Sequence, residues 1–165
     1  MLREFLPRRV ALGEPSHEVV RVCRNGDAAI REEAAVAHEE INPWEWSKGF
    51  GFSQAVKLTE PRQWLVCSGQ TAMGPDGSLP ASADMGEQVR VALDNVVAVL
   101  TAGGMTAADI VKSTIYTTDV DAIVEVLAPE AQRILGSSLP ASTLIGVSRL
   151  AFPELKVEIE IIAAR

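Results

Sequence analysis

The C-terminal stretch of the chain alternates apolar and polar residues with the period of a β-strand. From Leu155 to Ala163 the odd-numbered positions are apolar, whereas Lys156, Glu158 and Glu160 lie between them. Successive side chains of a strand point to opposite faces, so this pattern predicts one core face and one charged face. A second apolar run at 141–148 precedes it, and together the two runs predict a β-hairpin with a long turn.

A helical period replaces the strand period over residues 84–102. Asp84 followed by Glu87 is typical of a helix start, and Gly103 with Gly104 is typical of a helix end. We predict an α-helix whose apolar side chains pack on the sheet. Its predicted buried stripe consists of Met85, Val89, Leu93, Val96, Val97 and Leu100.

Shorter patterns predict the remaining elements. Residues 51–58 and 64–69 are predicted to pair as two strands across a turn, and the β-branched residues 109–118 predict another strand. Because Pro129 cannot donate a backbone hydrogen bond, the regular part of a second helix is predicted to begin there and to end at Leu135.

The predicted order ββαβαββ favours an α+β fold in which two helices cover one face of a mixed sheet. Residues 119–127 would form a turn or short lead-in to the second helix. The other sheet face, with Glu158 and Glu160, would be left bare. We therefore expect copies of the chain to associate over that face.

The 165-residue chain is long enough for one core and short for two domains. Residues 1–40 differ from the rest and are interpreted as a weakly structured or loosely docked extension, with one weak helix from Asp27 to about His38. Residues 41–165 would form the folded domain. Near its start, aromatic residues cluster between Trp44 and Phe52, where they would either line a pocket or seal a sheet edge; we favour sealing.

The composition argues against nucleic-acid, metal and membrane partners. A net charge of −7 argues against a broad phosphate-binding surface, so no nucleic-acid partner is expected. Cys23 and Cys67 make neither a metal spacing nor a disulfide framework. No apolar run is long enough for a membrane helix, and the first residues lack the apolar core of a secretory signal. We expect a cytoplasmic protein without a metal ion.

The chemistry open to residues 41–165 is limited, because both histidines precede them. Histidine-based triads and metal sites are therefore excluded there, and no glycine pattern binds phosphate. Glu160 is either an acid/base or, with about equal weight, it pairs like Glu158 with Lys156 or an arginine across an interface. Cys67 is interpreted as a buried structural thiol rather than a nucleophile.

Six motifs in a fixed order, spanning residues 42–165, resemble the Rid/YjgF family. This resemblance implies a chorismate-mutase-like α+β fold, a homotrimer whose sheets form a central barrel, and small-molecule clefts between subunits. The best-known members hydrolyse reactive enamines and imines released by pyridoxal-phosphate enzymes, without metal or cofactor. The motifs are CSGQ from Cys67, LDNV from Leu93, DIVK from Asp109, PAST from Pro140, VSRL from Val147 and KVEIE from Lys156.

The chain departs from the deaminase branch of that family at three positions. Ser142 stands where the branch has an arginine that clamps the substrate carboxylate, and a hydroxyl cannot replace the guanidinium charge. Phe52 replaces a tyrosine, and Leu127 replaces an asparagine. The resemblance therefore implies Glu160 and Ser68 as catalytic residues. The implied substrate-binding residues are Ser142, Thr143, Phe52, Cys67 and Leu127.

With these departures, the resemblance implies hydrolysis of a small, fairly apolar imine or enamine, with Glu160 as acid/base and with Ser68 and Thr143 orienting substrate or water. 2-Imino acids would be poor substrates because the arginine is missing. A non-catalytic, metabolite-binding trimer is the alternative. An RNA-cleaving or translation-inhibiting role is the weakest interpretation, since the chain is acidic.

Overall fold

The computed structural model describes residues 38–165, which fold into a mixed sheet with two helices packed against it. The α+β class is confirmed, although four short strands rather than two precede the first helix. The elements are β1 His38–Ile41, a 3₁₀ turn Glu45–Phe50, β2 Ala55–Leu58, β3 Trp64–Val66, β4 Gln70–Thr71, α1 Met85–Ala102, a 3₁₀ turn Ala107–Asp109, β5 Ile110–Thr117, α2 Val120–Leu135, β6 Ala141–Gly146 and β7 Val157–Ala164.

Strand β7 lies at the centre of the five-stranded sheet. It pairs antiparallel with β3 and β4 on one side and with β5 on the other, and β6 follows as the edge strand beyond β5. The predicted hairpin between 141–148 and 155–163 is therefore wrong. Strand β6 pairs in parallel with β5, because α2 carries the chain back across the sheet to the same end, as a parallel crossover requires.

The predicted pairing of 51–58 with 64–69 is also wrong. Strand β2 pairs with β1 in a separate two-stranded sheet, with His38 opposite Leu58. Strand β3 instead pairs with the end of β7, where Trp64 lies opposite Ala164. The two strands thus pair with β1 and β7 instead of with each other. Most of β1 lies in the segment that was interpreted as an extension.

Helix α1 forms as predicted. The Asp84 side chain accepts a hydrogen bond from the backbone N–H of Glu87, which satisfies one of the free donors of the first turn. The predicted stripe is buried except for Val97, which is only partly covered. The stripe packs on apolar side chains of the sheet, among them Ile115, Val157, Ile159 and Ile161.

Helix α2 is longer than predicted. It begins at Val120, directly after Asp119, whose side chain caps it by accepting from the N–H of Ala122. Pro129 lies inside the helix, so its beginning at Pro129 and the short lead-in over 119–127 are wrong. The proline is exposed and removes only one helical hydrogen bond, the one to the carbonyl of Glu125, which the rest of the helix accommodates.

The two faces of the sheet differ in the way the alternation predicts. In β7, Val157, Ile159 and Ile161 are buried under the helices, while Glu158 and Glu160 are only partly covered. We call the first side the covered face and the second the open face. Side chains on the open face include Trp64, Val66, Lys112, Thr114, Tyr116, Thr143, Ile145, Glu158, Glu160 and Ile162.

The aromatic cluster lies on the 3₁₀ turn before β2. The ring of Trp46 is edge-on to those of Phe50 and Phe52, at centroid distances of 6.1 and 5.7 Å. Contact with the sheet edge is made by backbone, since the N–H of Ser53 donates to the carbonyl of Pro140 at 3.1 Å. The rings of Trp44, Trp46 and Phe50 are mostly exposed, so these three side chains do not seal the edge as expected.

Of the predicted weak helix that ends near His38, only His38 is among the described residues, and it begins β1. The rest of that helix lies outside them.

Candidate functional site

Glu160 lies in a polar row that crosses three strands of the open face. The register places it beside Thr114 of β5, and Thr114 lies beside Thr143 of β6. One carboxylate oxygen, Oε2, accepts a hydrogen bond from the Tyr116 hydroxyl at 3.2 Å. Neither Lys156 nor an arginine among the described residues lies within salt-bridge distance of Glu160, and the ion pair expected across an interface stays a prediction.

Lys112 provides a cation on the same face. Its Nζ donates to Thr143 Oγ1 at 2.7 Å and to the carbonyl of Ser113 at 3.0 Å. Partial burial lowers the pKa of the Lys112 ammonium, because desolvation penalises the charged form. The fixed position of Nζ makes Thr143 a hydrogen-bond acceptor toward Lys112, which leaves the hydroxyl hydrogen of Thr143 free to donate elsewhere.

A concave cavity of about 190 Å³ opens on this face between β3, β5 and β7. We call it the open-face cavity. A cavity of this size admits several water molecules or a small ligand. It is lined by Val66, Cys67, Lys112, Thr114, Glu160, Ile161 and Ile162, which include a basic, an acidic and a hydroxyl-bearing residue.

Cys67 and Ser68 follow β3, and Cys67 is among the residues that line the cavity. The backbone N–H of Cys67 donates to the carbonyl of Ile161 at 3.0 Å, and its side chain is buried in the core. Burial raises the pKa of the Cys67 thiol, which keeps it protonated. This agrees with the interpretation of Cys67 as a structural thiol. Ser68 is exposed, and the register of β3 would place it opposite Glu160.

A β-bulge separates β3 from β4 at this point. Val66 pairs with Ile162, but Gln70 pairs with Ile159, so four steps along one strand match three along β7. The extra residue leaves Ser68 and Gly69 outside regular pairing, as bulges do beside many functional sites. A Cβ atom at Gly69 would collide with the carboxylate of Glu158, so glycine is needed for this side chain to lie across the bulge.

Ser142 lies on the covered side of β6, opposite to the face of Thr143. Its hydroxyl forms a 2.6 Å hydrogen bond with that of Ser113 and also donates to the carbonyl of Pro140 at 3.3 Å. Phe52 is close to this end of β6 through the backbone pairing of Ser53 with Ala141. Within one chain, therefore, Ser142 lies on the other side of the sheet from Glu160.

Leu127, which is also a predicted site residue, is not part of this polar arrangement. It lies on α2 and packs against the hydrophobic core between helices and sheet. The structure thus brings Glu160, Ser68 and Thr143 together on the open face. It places Ser142 and Phe52 at the start of β6 and leaves the side chains of Cys67 and Leu127 in the core.

Sequence reasoning missed Lys112 and Tyr116. Both lie on β5, which was recognised as a strand only by its β-branched residues. The signal that would have found them is the alternation of Lys112, Thr114 and Tyr116 with buried Val111, Ser113 and Ile115. Desolvation, the hydrogen bond to Glu160 and the negative charges of Glu160 and Glu158 all raise the pKa of Tyr116, so its hydroxyl stays a donor at neutral pH.

Among residues 38–165, no group of three or more His, Cys, Asp and Glu side chains is arranged to hold a metal ion. In the same part of the chain, none of the helices has the length and apolar character needed to cross a membrane.

The profile of the family described as Endoribonuclease L-PSP matches residues 48–165. The chain belongs to this family, which is also known as Rid/YjgF. The 2-iminobutanoate/2-iminopropanoate deaminase of Escherichia coli (strain K12) is 36% identical over 104 residues, which are 61% of this chain and 79% of the relative. A RutC family protein of Haemophilus influenzae is 37% identical over 119 residues, or 69% of this chain and 86% of the relative.

Solved structures of Rid proteins share the fold. The Rid family protein YyfB of Yersinia pestis superposes with a TM-score of 0.72 at 32% identity, over 78% of this chain and 98% of that one. The structure of E. coli TdcF with bound serine gives a TM-score of 0.56 at 30% identity, over 69% of this chain and 87% of that one. The predicted family and fold class are therefore confirmed.

Proposed function

We propose that this protein hydrolyses small reactive imines and enamines, with Glu160 as the proton-transferring carboxylate. The observation that carries the proposal is the position of Glu160, a partly buried carboxylate that lines the open-face cavity beside Thr114. The reaction class is supported by relatives named as imine deaminases at 36% identity. The proposed chemistry requires neither a metal ion nor a cofactor.

The mechanism has three chemical steps. An enamine is protonated at carbon to give an iminium ion, water adds to that ion, and ammonia leaves from the resulting carbinolamine. A carboxylate can accept the proton of the attacking water and return it to the leaving nitrogen. Glu160 would perform this relay, while the hydroxyls of Ser68 and Thr143 orient water and substrate.

The proposed substrate lacks a carboxylate that needs an arginine. Ser142 offers a hydroxyl that is already engaged with Ser113 and with the carbonyl of Pro140. It supplies no bidentate, charge-assisted pair of the kind that an arginine forms. We therefore propose that uncharged imines are better substrates than the 2-imino acids in the names of the relatives.

We also propose that the active assembly is a homotrimer with its sites between subunits. The open face exposes Trp64 and Val66, with 56% and 76% of their surfaces accessible in the single chain, and burial in an interface would stabilise both. Glu160 and Ser142 lie on opposite faces of one sheet, so a site that contains both would take them from two neighbouring subunits. Light scattering should then give three times the 17.7 kDa mass of the chain.

The function is tested by competition with a chemical trap. An amine oxidase would release an imine from n-butylamine, and semicarbazide would capture whatever escapes hydrolysis. Semicarbazide condenses faster with the imine than with the carbonyl product, so the quantity measured is the initial rate of semicarbazone formation. We expect added protein to lower this rate, and to lower it less when an amino-acid oxidase makes the imine of 2-aminobutanoate. An unchanged rate with both imines would refute the activity, and a preference for the amino-acid imine would refute the substrate class.

Ser142 also favours one alternative, a trimer that binds a metabolite without turning it over. In that case the same protein would show saturable binding of a small ligand by calorimetry and no effect on either rate of semicarbazone formation.

A further inference from the structure

Lys112 and Glu160 form a pair of opposite charges with a gap between them. Lys112 pairs with Ile162 in the register of β5 and β7, so Glu160, two residues away on the same face, is its diagonal neighbour. Diagonal neighbours lie about 7–8 Å apart along the sheet. Both side chains line the open-face cavity, and they do not form a salt bridge. Their charged groups are therefore more than 4.0 Å apart.

The hydrogen bonds of Lys112 fix the position of its ammonium on the open face. An ammonium has three N–H donors, and two of those of Lys112 are used by Thr143 Oγ1 and by the carbonyl of Ser113. The third donor is left for a bound group. In the part of the chain that the structure describes, no carboxylate oxygen lies within 4.0 Å of Nζ, so this donor is not used by a salt bridge.

We propose that Lys112 is the general acid of the site, and that it donates the proton that converts the bound imine or enamine to an iminium ion while Glu160 activates water. This inference rests on the hydrolysis proposed above and adds a second catalytic residue to it. It follows from the presence of Lys112 and Glu160 in the lining of one small cavity. Two titratable groups of different charge in one site are the usual arrangement for coupled acid and base steps.

The protons balance over one turnover. Lys112 gives a proton to the enamine carbon, or to the imine nitrogen, and becomes a neutral amine. Water adds to the iminium carbon as Glu160 takes its proton, which forms a C–O bond and a neutral carbinolamine. The protonated Glu160 then gives this proton to the amino nitrogen. Ammonia leaves with cleavage of the C–N bond, and the hydroxyl proton returns to Lys112 as the carbonyl forms.

Other charges facing Lys112 come from few elements. Strand β7 contributes Glu158 and Glu160, β5 contributes Tyr116, and Cys67 approaches from the end of β3, whereas β6 contributes only hydroxyl and apolar groups. Burial lowers the pKa of the Lys112 ammonium. An activity that needs the ammonium therefore falls with rising pH, at a pH below that at which an ordinary lysine titrates.

The test measures rates of butylimine hydrolysis for the wild type, Lys112→Met, Lys112→Arg and the control Lys57→Met, over a range of pH. Lys57 lies in the separate two-stranded sheet and pairs with Glu39. We expect Lys112→Met to lower kcat about 100-fold or more, as loss of a general acid does. Lys112→Arg should be equally slow, because a guanidinium keeps the charge but does not release its proton near neutral pH. The alkaline decline of the wild-type rate should be absent from both variants.

Each outcome decides the proposal. If Lys112→Met hydrolyses the imine at the wild-type rate, or if Lys112→Arg restores the full rate, Lys112 is not a proton donor. If the wild type itself hydrolyses no imine, the proposed function fails, and the role of Lys112 fails with it. Melting curves that match the wild type for all three variants separate a catalytic loss from unfolding.

Discussion

The two faces of the five-stranded sheet are made by alternate residues of the same strands, but they are stabilised differently. On the covered face, Ile159 and Ile161 are 2% and 3% exposed and pack against helix α1. On the open face, Glu160 and Lys112 are partly exposed, and hydroxyl groups provide their hydrogen bonds. The covered face thus stabilises the fold, whereas the open face contributes reactive groups at little cost to stability. Substitutions on the two faces should therefore have separable effects.

Glu160→Gln should have the largest effect and should act on catalysis alone. An amide of the same shape keeps the hydrogen bond from Tyr116 but cannot accept the proton of water, so kcat should fall by about 10²–10⁴-fold. The melting temperature should stay close to that of the wild type, because the carboxylate is only partly buried. Imine turnover and thermal unfolding measure the two quantities, with Glu125→Gln on the exposed side of α2 as a matched control. Turnover at the wild-type rate would remove Glu160 from the mechanism.

Ile159→Ala should act on stability. It leaves a cavity beneath α1 and should lower the free energy of unfolding by about 2–5 kcal/mol. The matched variant Ile162→Ala, on the partly exposed side of the same strand, should cost about 1 kcal/mol. Urea denaturation followed by circular dichroism compares the two. Equal losses would mean that the open face is as tightly packed as the covered one.

Tyr116→Phe should have the smallest effect. It removes the hydroxyl that donates to Glu160 at 3.2 Å and leaves the ring in place. A net hydrogen-bond contribution of about 0.5–1.5 kcal/mol corresponds to a loss of turnover of roughly twofold to tenfold. Steady-state kinetics should assign this loss to kcat, with unchanged thermal stability. A loss as large as that of Glu160→Gln would instead make Tyr116 a proton-transfer group in its own right.

Much of the fold was predictable because one face of each regular element is buried. The period of two in β7 and the period of 3.6 in α1 each identify a buried face, and both assignments are correct. The pairing of strands was not predictable in the same way, since alternation gives the face of a strand but not its neighbour. Strand β6 pairs with β5 because the connection between them crosses over through α2. The full length of this helix was not predicted, because Pro129 was expected to be its first residue.

The candidate site was predictable only in part. Glu160 and Thr143 were named from the resemblance and lie in one polar row. Lys112 was not named, because its hydrogen bond to Thr143 joins two residues that are 31 positions apart in the sequence. Ser142 was named with Thr143, yet adjacent residues of a strand point to opposite faces, so the two side chains are separated by the sheet. Three-dimensional pairing, rather than motif content, decided which predicted residues lie together.

The proline in α2 affects where the protein unfolds locally. Pro129 leaves the carbonyl of Glu125 without its helical donor, and Ile123, on the N-terminal side of it, is the fully buried residue of this helix. The turns after Pro129 have fewer buried contacts and a weaker hydrogen-bond ladder than α1 has. In native-state hydrogen exchange, their amides should lose protection through a local opening well below the free energy of global unfolding, while those of α1 exchange last. The residues that lead into β6, the strand of Ser142 and Thr143, are thus attached to the least cooperative part of the helical layer.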